Sequence, residues 1–191
     1  MLYLASASPR RAELLKQAGL DFRVLASRVE EKRRPSEAAA SYVKRLARDK
    51  ASEVRGRLLA KGARSGLVLG ADTVVVLGSK VLEKPKNAAD ARAMLARLSG
   101  KEHRVMTGVA LLPLGAGKAH SVVETTCVLF RKLSVKEIAD YVATGEPMDK
   151  AGAYGIQGGA AAFVKGITGC YFNVVGLPLA RVVELLGSRS R

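Results

Sequence analysis

The eleven residues Leu67–Leu77, LVLGADTVVVL, constrain the fold more than any other stretch of this 191-residue chain. Apolar and β-branched residues run on with little alternation, the pattern of a strand covered on both faces. Such a strand belongs in the middle of a sheet with helices packed against it. Asp72 interrupts the run with a carboxylate, which is costly to bury unless it is paired or used. Gly70-Ala71, just before it, leaves room for a close approach by another backbone or a ligand. The plain alternative is a strand-end aspartate that caps a loop.

The flanking segments read as alternating elements. Leu2–Ala5 is a short strand. Ser8-Pro9 starts a helix, with Ser as N-cap and Pro at the first helical position, and Gly19 stops it. Phe22–Ala26 is a second short strand, and Ser27–Pro35 a basic loop. A long helix from Ser36 to about Ala60 carries Val43, Leu46, Ala47, Val54 and Leu58 at helical spacing. Lys50 falls on that inward stripe, so its ammonium needs a cleft or a partner. Asn87 caps a helix to Leu98, and Ser134-x-x-Glu137 is a capping box for a helix to Thr144. His103–Leu114 and Ser121–Phe130 form a hairpin. Lys150–Gly159 is a glycine-rich loop, Ala162–Val164 and Tyr171–Val175 are short strands, and a last helix follows Pro178. The final residues, Ser188–Arg191, are expected to fray. The expected fold is α/β: a mixed twisted sheet with flanking helices, in a single domain over residues 1–191.

Composition narrows the function. Lys and Arg number 32 against 17 Asp and Glu, a net charge of +15, which points to a phosphate-bearing partner. The basicity is spread along the chain. Aromatic residues make up only 5%, without Trp, which disfavours nucleic-acid binding by base stacking. A small phosphorylated ligand fits better. No run approaches the roughly 20 apolar residues of a membrane span, so no membrane is expected. Cys127 and Cys170 lie far apart and match no zinc pattern. MLYLASASPRR does not read as a signal peptide, so the expected location is cytoplasmic.

Several residues could do chemistry. Ser6-Ala7-Ser8-Pro9-Arg10-Arg11 joins a strand to a helix N-terminus, placing two hydroxyls and two guanidinium groups beside unpaired backbone N–H groups. That is an anion cradle, or else an ordinary Ser-Pro cap with solvated arginines. Glu30-Glu31 reads as a solvated charge cluster or, with Asp72, as ligands of a hard divalent cation. Lys84 reads as an exposed loop lysine. In Asp149–Gly158 the glycines allow close approach of a flat ligand, and Gln157 can donate and accept at a base edge. His103 and His120 read as structural or surface residues. No P-loop sequence and no Ser-His-Asp or Cys-His arrangement is evident.

Taken in order, LASASPRRAELL (4–15), VEEKRRP (29–35), GADTVVV (70–76), VLEKP (81–85), LSGKEHRVMTGVAL (98–111), GEPMDKAGAYGIQG (145–158) and NVVGLPL (173–179) resemble the Maf family of nucleoside triphosphate pyrophosphatases. DKAGAYGIQG looks like the branch acting on dTTP and UTP. The resemblance implies two lobes around a cleft, akin to inosine triphosphatases. It implies hydrolysis of a nucleoside triphosphate to the monophosphate and pyrophosphate with a divalent cation, Mg, Mn or Co. By the same resemblance Asp72 is the proton acceptor. Ser6, Ser8, Arg11, Lys50 and Lys84 contact phosphate, Glu31 and Asp72 hold metal, and Arg10, Thr73 and Gln157 set substrate choice. Arg11 and Lys50 are then expected to matter to turnover rather than to stability. Glu30 stands where many members have Asp, and Cys170 where Ser or Asp is common. Partners are the triphosphate and, for assembly, a possible homodimer. The competing reading is a regulatory binding protein of cell division and septum formation, or a nucleic-acid-binding module.

Overall fold

In the computed structural model, which describes residues 1–187, the chain runs β1 (Leu2–Leu4), α1 (Pro9–Gln17), β2 (Phe22–Val24), α2 (Ala39–Ala60), β3 (Leu67–Leu77), β4 (Lys80–Leu82), α3 (Ala88–Leu98), β5 (Glu102–Pro113), β6 (His120–Phe130), α4 (Val135–Ala143), β7 (Val164–Thr168), α5 (Tyr171–Val175) and α6 (Leu179–Gly187). Short 3₁₀ turns cover Glu146–Asp149, Ala151–Ala153 and Gly159–Phe163. Ser188–Arg191, expected to fray, lie outside the described residues. The strands form one sheet in the order β2-β1-β3-β5-β6-β7, with β4 also on β3. β1 is parallel to β2 and β3, whereas β4 on β3 and β7 on β6 are antiparallel, so the sheet is mixed as expected.

Two compact units divide the chain. The first comprises Met1–Asp72, Thr107–Glu124 and the chain from Gly176 on; the second comprises Thr73–Met106 and Thr125–Val175. β3, β5 and β6 are long enough to give residues to both.

In the first unit α2 lies on β3 and β5 at backbone contact. A Cβ at Gly70 would run into the Ala47 carbonyl, and one at Gly108 into the Val43 carbonyl. Val43 and Ala47 are one helical turn apart, so a single helix face touches both strands. Ala5, Ala47, Ala51, Val54, Val68, Ala110, Leu112 and Leu114 form one buried cluster there.

The second unit is built on an aromatic cluster. Phe130 lies edge-on to His103 at 4.9 Å and to Tyr154 at 4.8 Å, and Phe163 meets Phe130 and Tyr141. α3 and α4 pack together. Their starts follow the sequence signals: Asn87 accepts from the Asp90 N–H, and Ser134 and Glu137 close a capping box.

Three segments depart most from the sequence reading, which also gives no strand at Lys80–Leu82. α2 begins at Ala39 rather than Ser36, because Ser36 adopts φ 57°, a left-handed conformation outside the helix. Ala162 and Phe163 end a 3₁₀ turn, and the strand begins only at Val164, as β7. Tyr171–Val175 is a helix, not a strand. Five residues are too few for periodicity to decide. The buried Asn173 instead sets the local geometry, its amide donating to the Val105 carbonyl and to Thr126 Oγ1, both at 3.0 Å.

His103 is buried, with Nε2 2.8 Å from the Tyr154 hydroxyl. Desolvation pulls its pKa from 6.5 down to about 4. The folded state therefore holds His103 neutral while the unfolded chain takes up a proton below pH 6.5. Stability from this group is complete above that pH and is lost as pH falls toward 4, by about 3 kcal/mol in all. In urea unfolding at pH 7.5 and pH 4.5, His103→Gln should show a loss between the two pH values smaller by roughly that amount. Equal losses in both proteins would mean that His103 does not titrate on unfolding.

Candidate active site

The close seating of α2 fixes the central pair of the site. Gly70 and Asp72 lie two apart on β3 and share a face. Ala47, which meets Gly70, is followed one turn later by Lys50. The Lys50 ammonium consequently reaches Asp72 Oδ1 at 2.7 Å. It also donates to Glu31 Oε1 at 2.5 Å. Both side chains of the Lys50–Asp72 pair are only 8% exposed, whereas Glu31 is 40% exposed. The inward lysine and the interrupting aspartate, each costly alone, thus satisfy one another. Burial pushes the Asp72 pKa upward; Lys50 pulls it back, then Arg11, and the net shift is upward.

The segment before α1 is organised around Ser6. Its buried hydroxyl oxygen accepts from the Ser8 N–H at 3.2 Å and from an Arg11 Nη at 3.0 Å. The same Nη donates to the Ala71 carbonyl at 3.0 Å, and Arg11 Nε donates to the Gly176 carbonyl at 2.8 Å. Ser8 takes the N-cap position, but its side chain makes no capping hydrogen bond. The first-turn N–H groups of α1 are therefore not capped by that hydroxyl, as an anion-binding helix start requires. Burial lowers the Arg11 pKa, and the Asp72 and Glu31 carboxylates oppose that shift.

Ser6, Arg11, Glu31, Lys50 and Asp72 are thus brought together in the first unit. Arg10 is half-buried on α1 of that unit. Thr73, Lys84 and Gln157 belong to the second unit: Thr73 half-buried on β3, Lys84 exposed just beyond β4, and Gln157 exposed on a turn. Sequence reasoning missed Tyr141 and Glu146. The Tyr141 hydroxyl donates to Glu146 Oε1 at 2.8 Å, and their oxygens accept the N–H groups of Gly155 and Gly159 in the glycine-rich loop. The glycine density of that loop is the only signal that could have drawn attention to them.

Two carboxylate oxygens converge on the Lys50 ammonium, which stands where a small cation could stand. Among the described residues no group of three or more His, Cys, Asp or Glu is placed to hold a metal. Two carboxylates fit an ion such as Mg²⁺, which keeps waters and takes substrate phosphate oxygens as its other ligands.

Residues 1–189 match the family described as Maf-like protein. A dTTP/UTP pyrophosphatase from Yersinia pestis is 54% identical over 97% of this chain and 91% of its own length. One from Pelotomaculum thermopropionicum is 50% identical over 97% and 94%. One from Escherichia coli O157:H7 is 51% identical over 98% and 92%. Among solved structures, a nucleoside-triphosphatase / dITP/XTP pyrophosphatase from Mycobacterium abscessus aligns over 100% of this chain and 98% of its own, with TM-score 0.42 and 14% identity, too distant to bear on the site.

Arg11 carries structural weight that the sequence did not reveal. Arg11→Ala removes a charged donor from two backbone carbonyls and from Ser6, and should cost about 2–4 kcal/mol of stability. Arg11→Lys should recover less than half of it, since an ammonium lacks the fork that spans these acceptors. Urea unfolding of both variants checks this; an Arg11→Ala protein as stable as the parent would reduce Arg11 to a ligand contact.

Proposed function

Because this chain belongs to the Maf family, we propose that its residues form one Maf-like domain that hydrolyses dTTP and UTP to the monophosphate and pyrophosphate. The observation that carries this reading is the buried Lys50–Asp72 pair, extended by Glu31 and set close to the Ser6–Arg11 segment. A protein that only binds a polyanion gains nothing from two carboxylates at its binding site. An enzyme that activates water does.

Asp72 accepts a proton from the attacking water as its oxygen bonds to the α-phosphorus. The bond from that phosphorus to the bridging oxygen breaks, and pyrophosphate leaves with the electron pair. The upward-shifted pKa of Asp72 suits a group that must take up a proton and then return it. Lys50 holds Asp72 in place and donates toward phosphate oxygens, as do Ser6, Ser8, Arg11 and Lys84. Glu31 and Asp72 would hold the divalent cation (Mg, Mn or Co), which when bound supplies charge neutralisation to the triphosphate. Arg10, Thr73 and Gln157 set substrate choice. An amide at Gln157 can pair with the O4/N3 edge that uracil and thymine share, and cytosine reverses that pattern. Among the described residues no helix is long and apolar enough to cross a membrane. We take the enzyme to act in the cytoplasm, with a homodimer as the assembly to check by light scattering.

With UTP and Mg²⁺ the products should be UMP and pyrophosphate, resolved by chromatography. Asp72→Asn should keep the fold and lose turnover by on the order of 10²–10⁴-fold. A digest yielding mainly UDP and orthophosphate would overturn the site of attack, and a folded Asp72→Asn enzyme with near-normal kcat would overturn the base.

A further inference from the structure

In the second unit the turn that carries Gln157 is held by side chains rather than by regular secondary structure. The Gly158 N–H donates to the Gly155 carbonyl at 3.1 Å, closing a turn with Ile156 and Gln157 at its corner. Ile156 is buried and Gln157 is exposed, so the turn has a fixed inside and outside. Both ends are pinned by one pair of groups. The Gly155 N–H donates to the Tyr141 hydroxyl oxygen at 3.1 Å, and the Gly159 N–H donates to Glu146 Oε2 at 3.0 Å. Tyr141 in turn donates to Glu146 Oε1 at 2.8 Å.

This clamp is itself anchored. The Tyr141 ring is buried edge-on against Phe163 at 5.2 Å, and burial holds its hydroxyl in the protonated, donating form. Lys150 Nζ donates to the Glu146 carbonyl and to Asp149 Oδ1, each at 2.6 Å. The glycines match the clamp: a Cβ at Gly158 would run into the Glu146 carboxylate, and one at Gly155 would lie 2.7 Å from Lys150 Cε. The loop is glycine-rich because these side chains occupy the space its own would need.

We propose that Glu146 and Tyr141 are positioning residues for nucleobase selection, holding the backbone of the 155–159 turn so that Gln157 is presented from one fixed place on the second unit. The inference rests on the reading of Gln157 as the base-selecting residue. A turn that shifts lets the Gln157 amide approach a base from more than one direction, and the pairing that separates uracil from cytosine is then lost. Discrimination by polar pairing requires groups that cannot re-pair with the wrong base.

The test is the ratio of kcat/KM for UTP to that for CTP. It is measured in the parent, Gln157→Ala, Tyr141→Phe, Glu146→Ala and Glu146→Gln, alongside hydrogen exchange of the Gly155–Gly159 amides. Tyr141→Phe and Glu146→Ala should each lower the ratio by about tenfold, mainly through a higher KM for UTP, with kcat changed by less than about threefold. Amide exchange at 155–159 should speed up, while the segment around Asp72 keeps its protection. Glu146→Gln keeps one acceptor and should recover part of the ratio. Tyr141→Phe retains the packed ring, so the test survives if Glu146→Ala does not fold. An unchanged ratio in Gln157→Ala would sink the reading of Gln157 and the inference with it. A ratio that collapses in Gln157→Ala but holds in Tyr141→Phe, with loop protection intact, would sink the positioning role alone.

Discussion

The seating of α2 on bare strand backbone at Gly70 and Gly108 sets everything else in the first unit. Side-chain packing between a helix and a sheet normally keeps the two about 10 Å apart, and two glycines remove that spacing here. The seam formed by Val43 and Ala47 then fixes both the position and the rotation of the helix. Lys50, one turn beyond, has a single place to go, and Asp72 is there. A methyl group at Gly70 would meet backbone that cannot rotate away. It would lift the helix and part the ion pair without touching either charged residue.

The ion pair is poor evidence for stability. Removing an ammonium and a carboxylate from water costs several kcal/mol per ion, roughly what their mutual attraction returns. A chain selected for stability alone would fill the space with apolar side chains, as the neighbouring Ala51 and Val54 do. The charges at this point also balance: Lys50 and Arg11 against Asp72 and Glu31. A triphosphate would add several negative charges to these four groups, which have no positive surplus of their own; Arg10, which bears on Arg11, and the rest of the chain's +15 lie outside that set. On the proposed reading, the local balance explains why such a substrate would come with its own divalent cation, and why the global charge serves to attract it from a distance.

What the sequence disclosed follows from the range of the forces involved. Asp72 and Lys50 were legible because each breaks an apolar pattern, and such a break signals a long-range partner without naming it. Asn87 and Ser134 were legible because capping is a contact over three residues. Arg11 was only half legible: its position before a helix suggested anion binding, but its bonds to Ala71 and Gly176 lie 60 and 165 residues away. The helix at Tyr171–Val175 was misread for the same reason. Its aromatic and β-branched residues favour a strand, and the hydrogen bonds of Asn173 to Val105 and Thr126 override them. Tyr141 and Glu146 resemble ordinary helix-end residues, so nothing local announces their hold on a loop beginning nine residues beyond Glu146.

The two units thus hold their candidate site residues by different means. Asp72 and Lys50 stand on a central strand and a long helix, where backbone hydrogen bonds and a glycine seam set their positions. Gln157 stands on a turn shaped by one phenol and one carboxylate. Regular elements give precision, and loops give freedom to change. The clamp around Gln157 consists of a few hydrogen bonds within the second unit, and none of them involves Asp72 or Lys50. On the proposed reading, chemistry that resists change and selectivity that admits it can coexist in one chain, because the second would depend on side-chain contacts that the first does not use.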